Sequence, residues 1–151
     1  MLLKKSKVVV YYTFNILFLC ILILLWECSS NKIYLKIKCA DDCNNGNAVV
    51  VSILQLTNSE KFLRASRESL LKNPQDIIGD ELVFKLEKTL VPGESFVLPD
   101  HNIKKGVLYI GIIGDFYSPS EKRWRQIYDL QSGMRSIEVF ILNNSIEIKK
   151  K

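Results

Sequence analysis

Histidine is almost missing from this chain: among 151 residues there is one, His101. A zinc site would therefore have to gather Cys39, Cys43, His101 and a carboxylate, with nothing in their spacing to fix the geometry. A nucleophilic triad is equally short of a base, and no Gly-x-Ser-x-Gly elbow is present among the seven glycines. No phosphate-cradling glycine motif is present either. A calcium loop fails on its ligands. With Gly46 at the invariant glycine, Cys43 takes the third position and Ser52 stands where a bidentate glutamate is needed. The carboxylate pairs Asp41/Asp42 and Asp80/Glu81 fit turns or caps better than acid–base work. The reading is of a non-enzyme without cofactor or metal.

Strong charge is also lacking. The formal charge is +5, but setting aside Lys4, Lys5, Lys7 and Glu27 leaves 18 basic and 15 acidic residues, with Lys149-Lys150-Lys151 closing the chain. Such a balance describes a mildly cationic solvated surface and does not call for nucleic acid. Trp124-Arg125-Gln126-Ile127-Tyr128 has the residue types of an aromatic–basic nucleic-acid patch. On a strand, though, Trp124, Gln126 and Tyr128 share one face, so the tryptophan reads as a core anchor.

The positive signals begin at the N-terminus. Three lysines precede a nearly unbroken apolar run, Val8 to Trp26, interrupted by Thr13 and Asn15. A basic start and an apolar core make a secretory signal, and the run is also long enough to be an uncleaved membrane anchor. Both readings leave the lysines in the cytoplasm and export the chain beyond Cys28. As a lipid-acceptor box Leu25-Trp26-Glu27-Cys28 is imperfect. Leu25 fits, Trp26 and Glu27 replace the usual small residues, and Ser29 is compatible with sorting to an outer membrane. Cys20 lies inside the apolar run and behaves as a small hydrophobe. In an oxidising compartment Cys39 and Cys43 could close a small disulfide ring around Ala40-Asp41-Asp42.

The exported part reads as short strands. Ile33 to Cys39 alternates apolar and polar, Asp42 to Asn47 is dense in turn formers, and Ala48 to Leu56 is a β-branched buried run. The period then turns helical from Asn58 to Leu71, with Asn58 or Ser59 as N-cap and Asn73-Pro74 as the stop, and a further turn spans Gln75 to Ile78. Strands return at Leu82–Leu90, Ser95–Leu98 (ending at Pro99-Asp100, with His101 in the turn), Val107–Ile113, Arg123–Leu130, Ile137–Leu142 and Ile146–Ile148. Asn143-Asn144-Ser145 forms a tight hairpin between the last two. Seven to eight strands with one helical insertion, about 58–79, imply a mainly β fold, a β-sandwich over 33–149. A signal or anchor over 1–27 and a tether over 28–32 precede it.

These pieces, in order, resemble the type VI secretion outer-membrane lipoproteins of the TssJ family along residues 33–148. The features are an Asp/Asn-rich loop after the first strand, a Val-rich strand ending in Gln55-Leu56, and Phe62, Ala65 and Leu70 in F-x-x-A-x(4)-L. Leu90-Val91-Pro92-Gly93-Glu94, then Tyr109-Ile110-Gly111-Ile112-Ile113-Gly114-Asp115-Phe116, and Trp124-Arg125 complete them. The resemblance implies a transthyretin-like sandwich, a lipid on Cys28, and residence on the periplasmic face of the outer membrane. It implies a partner in the periplasmic domain of TssM, within the TssM–TssL membrane complex. It also implies contact through the loop between the first two strands, where Asp41, Asp42, Asn44 and Asn45 are the expected binding residues. The Cys39/Cys43 pair departs from the family pattern and would staple that loop. The competing expectation is a single-pass anchored periplasmic sandwich acting as a binding or carrier module; a lipid-anchored hydrolase is disfavoured by the missing nucleophile constellation.

Overall fold

A computed structural model describes residues 32–150; the signal or anchor segment, Cys28 and residues up to 31 lie outside the described residues. The strands are β1 (Lys32–Cys39), β2 (Val49–Leu56), β3 (Leu82–Leu90), β4 (Ser95–Asn102), β5 (Tyr109–Asp115), β6 (Arg125–Asp129), β7 (Ser136–Ile141) and β8 (Ile146–Lys150). They form two four-stranded sheets, β4-β1-β7-β8 and β3-β2-β5-β6. All neighbours run antiparallel except β1 and β7, which pair in parallel. The mainly β sandwich expected from the strand count is therefore present.

The alternation of β1 decides which side faces in. Ile33, Leu35, Ile37 and Cys39 are buried while Lys32 and Tyr34 are exposed, as a period-two strand with one solvated face requires. β2 differs, because it is buried from Val51 through Leu56. One face looks into the sandwich and the other is roofed by the insertion, whose Phe62, Leu70 and Ile78 join the core.

Glycine makes that roof possible. A Cβ on Gly111 would lie 3.0 Å from the Phe62 ring and 3.2 Å from Leu56 Cδ1. The bare backbone of β5 thus gives the ring its seat. Arg125 locks the roof from the neighbouring strand. Its guanidinium donates to the carbonyls of Phe62 at 2.6 Å and Ala65 at 2.8 Å, and also to that of Leu63. It stands 4.8 Å from the Trp124 ring centroid. These are the unsatisfied last carbonyls of the first helix, where a cation is favoured by both hydrogen bonding and the helix dipole. Buried Trp124 is the anchor under this arginine.

Two sequence expectations need correction. The insertion is three short helices rather than one long and one short: α1 (Glu60–Arg64), α2 (Arg67–Lys72) and α3 (Pro74–Ile78), followed by a 3-10 turn at Gly79–Glu81. Ser66 interrupts the first pattern, since its hydroxyl caps α2 by accepting from Ser69 N at 3.2 Å. Pro74 starts α3 rather than merely stopping the helix before it, because the first helical position needs no N–H donor.

The second correction concerns β4, which continues through Pro99. Pro99 and Asp100 together oppose Tyr34, between the Ile33–His101 and Leu35–Leu98 pairs. Asp100 takes φ 51° there. A bulge on an edge strand tolerates both the missing donor and the extra residue. His101 consequently sits half-buried on a strand, not in a solvated turn.

His101 belongs to a polar network beneath the sheets. Gln55 is fully buried on β2. Its Oε1 accepts from Lys104 N at 2.8 Å and its Nε2 donates to Asn102 O at 2.8 Å, which fixes the orientation of the amide. The same Nε2 lies 3.0 Å from His101 Nε2, so that ring nitrogen must accept and the imidazole carries its proton on Nδ1. Burial first, and Lys104 second, push the His101 pKa below its ordinary value. Stability from this group is therefore complete above the unfolded value near 6.5 and is lost as pH falls through that value toward the lower folded one. Denaturant melts between pH 7.5 and 5 should show the wild type losing stability more steeply than His101→Gln. Equal slopes would contradict the assignment.

Candidate partner-docking site

The β1–β2 connection, Ala40–Ala48, is a compact turn rather than the open loop its composition implies. Cys39 and Cys43 are disulfide-bonded, with S–S 2.00 Å and Cα–Cα 5.7 Å. Both sulfur residues are buried. Asn44, Asn45 and Gly46 follow in the left-handed region at φ 49°, 54° and 76°. Asparagine and glycine are the residues that adopt it with least strain, which explains the Asn-Asn-Gly run.

Neighbouring loops then fix the turn. Asn44 Nδ2 donates to Ala48 O at 2.6 Å, and Asn44 Oδ1 accepts from Tyr117 N at 2.6 Å. Asn45 N donates to Asn143 Oδ1 at 3.1 Å, and Asn44 N donates to Leu142 O at 3.3 Å. On the other side Gly93 N donates to Ala40 O at 3.3 Å. A Cβ on Gly93 would come within 3.2 Å of Asp41 Oδ1. The β1–β2 turn, the Pro92-Gly93 turn, the β5–β6 loop and the β7–β8 hairpin thus knit into one end of the sandwich.

The four expected binding residues separate here. Asp41, Asp42 and Asn45 are exposed. Asn44 is not, at 4% exposure, and its side chain is used up inside the turn. It is a positioning residue, and the expectation that it meets a partner directly is corrected. Tyr117, which composition did not single out, is 85% exposed at the rim of a hollow of about 570 Å³ lined by Asn44, Asn47, Ala48, Asp115, Phe116 and Tyr117. A large exposed aromatic beside a rigid polar turn is the kind of anchor interfaces use. No local pattern distinguished it from a core tyrosine, since its exposure follows from the turn after Phe116. That ring folds back over Gly114, where a Cβ would lie 2.5 Å from Phe116 Cε2.

Asp115 at the hollow's edge is paired with Arg67 at 2.8 Å, and Arg67 also donates to Phe116 O at 2.7 Å, so the insertion braces this end as well. The opposite end holds the first residue of β1. Lys32 pairs with Asn102, and Tyr34 N donates to Arg135 O at 2.8 Å. The eight residues of β1, at about 3.3 Å each, separate the two ends by roughly 25 Å. Among the described residues no cluster of three histidines, cysteines or carboxylates could hold a metal ion. This end of the sandwich presents a stapled backbone, the exposed carboxylates Asp41 and Asp42, and the exposed Tyr117 ring.

Comparison with known proteins gives the same outline. The profile of the type VI secretion lipoproteins (VasD, EvfM, TssJ) matches residues 31–149. No curated protein matches the chain. Among solved structures, the type VI secretion lipoprotein TssJ1 of Pseudomonas aeruginosa is 20% identical, with 82% of this chain and 98% of that chain covered at a TM-score of 0.75. Lip of Serratia marcescens, a membrane-bound component of the type VI secretion system, is 15% identical, with 79% and 97% covered at 0.68. A chain in the structure of the TssM C-terminal domain from EAEC is 18% identical, with 78% and 97% covered at 0.68. At these identities the structural likeness speaks to the fold, while the family match spans the whole sandwich. The chain belongs to the type VI secretion lipoprotein family of VasD, EvfM and TssJ.

Proposed function

We propose that the chain is the outer-membrane tether of a type VI secretion membrane complex, anchored through a lipid on Cys28 and holding the periplasmic domain of a TssM protein. Residues 1–27 act as the lipoprotein signal, 28–32 as the tether, and 33–149 as the recognition domain. The observation that carries the reading is a family-matched sandwich whose stapled, left-handed turn stands at the end of β1 opposite Lys32, roughly 25 Å along the strand. A scaffold needs a tether at one end and a rigid contact at the other, and no reaction centre between them. Asp41, Asp42, Asn45 and Tyr117 form the contact, with Asn44 and the Cys39–Cys43 disulfide holding them. A turn already fixed before docking loses little entropy on binding. The lipid confines the domain to a membrane face and so raises its effective concentration at the assembly.

Trp26 and Glu27, in place of small residues before Cys28, favour one competing form, in which the Val8–Trp26 run stays uncleaved and anchors the same sandwich. Metabolic labelling with palmitate separates the two. The wild-type chain is expected to take up label and Cys28→Ser none; an unlabelled wild type would rule out the lipid tether.

A further inference from the structure

Charge is unevenly distributed along the strand axis. At the end where β1 begins, Lys32, Lys104, Lys105 and Arg135 are all exposed. None of the four makes an ion pair among the described residues. The acidic residues of that rim are Asp100, in the β4 bulge, Asp129, whose Oδ1 accepts from Gln131 N at 2.8 Å, exposed Asp80 just before β3, and Glu81, paired with Lys61 at 3.3 Å. Between the cations the rim exposes Tyr34 at 41% and Leu108 at 39%. The far end is the reverse. Asp41 and Asp42 are free there and exposed Glu121 stands beside Lys122, while Asp115 and Glu94 are paired to Arg67 and Lys88.

Under the membrane attachment proposed above, the basic end is the one the tether joins. Only Ser29, Ser30 and Asn31 lie between Cys28 and Lys32. Fully extended, the chain from Cys28 to Lys32 reaches no more than about 14 Å. This holds whether Cys28 is acylated or the apolar run remains as a span, so the inference rests on the membrane attachment of the proposed function but not on its chemical form.

We propose that the rim formed by Lys32, Lys104, Lys105 and Arg135, with Tyr34 and Leu108, seats the domain on the headgroups of anionic phospholipid. The acidic docking end then points away from the bilayer. Juxtamembrane cations are drawn to an anionic leaflet by roughly fivefold in partitioning each. Tyrosine and leucine between them suit the boundary of headgroup and acyl chain. The acidic far end is repelled by the same leaflet, so the two ends act together to stand the sandwich upright. Orientation, rather than attachment, is what the charges add.

The test uses the full-length protein reconstituted in phosphatidylcholine vesicles with and without phosphatidylglycerol. Vesicle flotation is scored first, and lysine acylation by an amine-reactive reagent is then read by mass spectrometry. A chain that fails to float would overturn the tether itself. In a floating chain, Lys32, Lys104 and Lys105 are expected to react at least about fivefold more slowly with phosphatidylglycerol present, while Lys122 at the far end is unchanged. The variant Lys104→Glu with Arg135→Glu should lose the protection yet still float. Equal reactivity in both vesicles, or protection of Lys122 instead, would overturn the seating. So would protection of the rim that appears only when a partner protein is added.

Discussion

Replacing Gly111 by valine is expected to lower the stability of the sandwich by ~3 kcal/mol and its melting temperature by on the order of 10 °C. The reason is a contact between elements far apart in sequence. Any Cβ at 111 meets the Phe62 ring at 3.0 Å and Leu56 at 3.2 Å. Phe62 is fully buried and its backbone carbonyl is held by Arg125, so the ring cannot swing aside without dragging α1 with it. A double variant tests the cause directly. Phe62→Ala alone should cost about 3–5 kcal/mol, and Gly111→Val added to it should cost far less than in the wild type. Additive losses in chemical denaturation would place the strain elsewhere.

The second large effect is expected at Asn44. Asn44→Ala removes both hydrogen bonds of a buried amide and leaves Tyr117 N and Ala48 O without those partners. It also puts a residue poorly suited to the left-handed region at φ 49°. Together these amount to ~3 kcal/mol. Asn44→Gly separates the contributions: it relieves the backbone strain but not the lost hydrogen bonds, and should recover about 1 kcal/mol of the deficit. Amide exchange at Tyr117 should accelerate in both variants. An Asn44→Ala protein that melts like the wild type would show that the turn is held by the disulfide alone.

These two positions show where the sequence was informative. Period-two burial in β1, the β-branched run of β2 and the Pro92-Gly93 turn are local signals, and the strands form where those signals stand. The closeness of Gly111 and Phe62 is not local. The order of motifs placed both in a family pattern, but only the packing of the insertion onto β5 explains why the pattern needs a glycine. The same holds for β4. Proline and aspartate normally end a strand, yet an edge position and a bulge absorb both, and His101 moves from solvent to a buried network as a result. In the β1–β2 turn, composition indicated the exposure of Asp41, Asp42 and Asn45 but not the inward direction of Asn44. A left-handed turn points alternate side chains in ways that residue type does not announce. Tyr117 was invisible for a related reason: its exposure depends on Phe116 folding back against Gly114.

The central claim is that the stapled end of the sandwich is the surface that holds TssM. Its most direct test is the affinity of the wild-type chain for the purified periplasmic domain of the cognate TssM. It is compared with Asp41→Lys plus Asp42→Lys, with Tyr117→Ala, and with Lys104→Glu at the opposite end as a control. The charge reversal and the tyrosine truncation are each expected to weaken binding at least about tenfold, the range of interface anchors, while Lys104→Glu leaves it unchanged. Unchanged affinity in both docking-end variants, or a loss confined to the control, would contradict the claim.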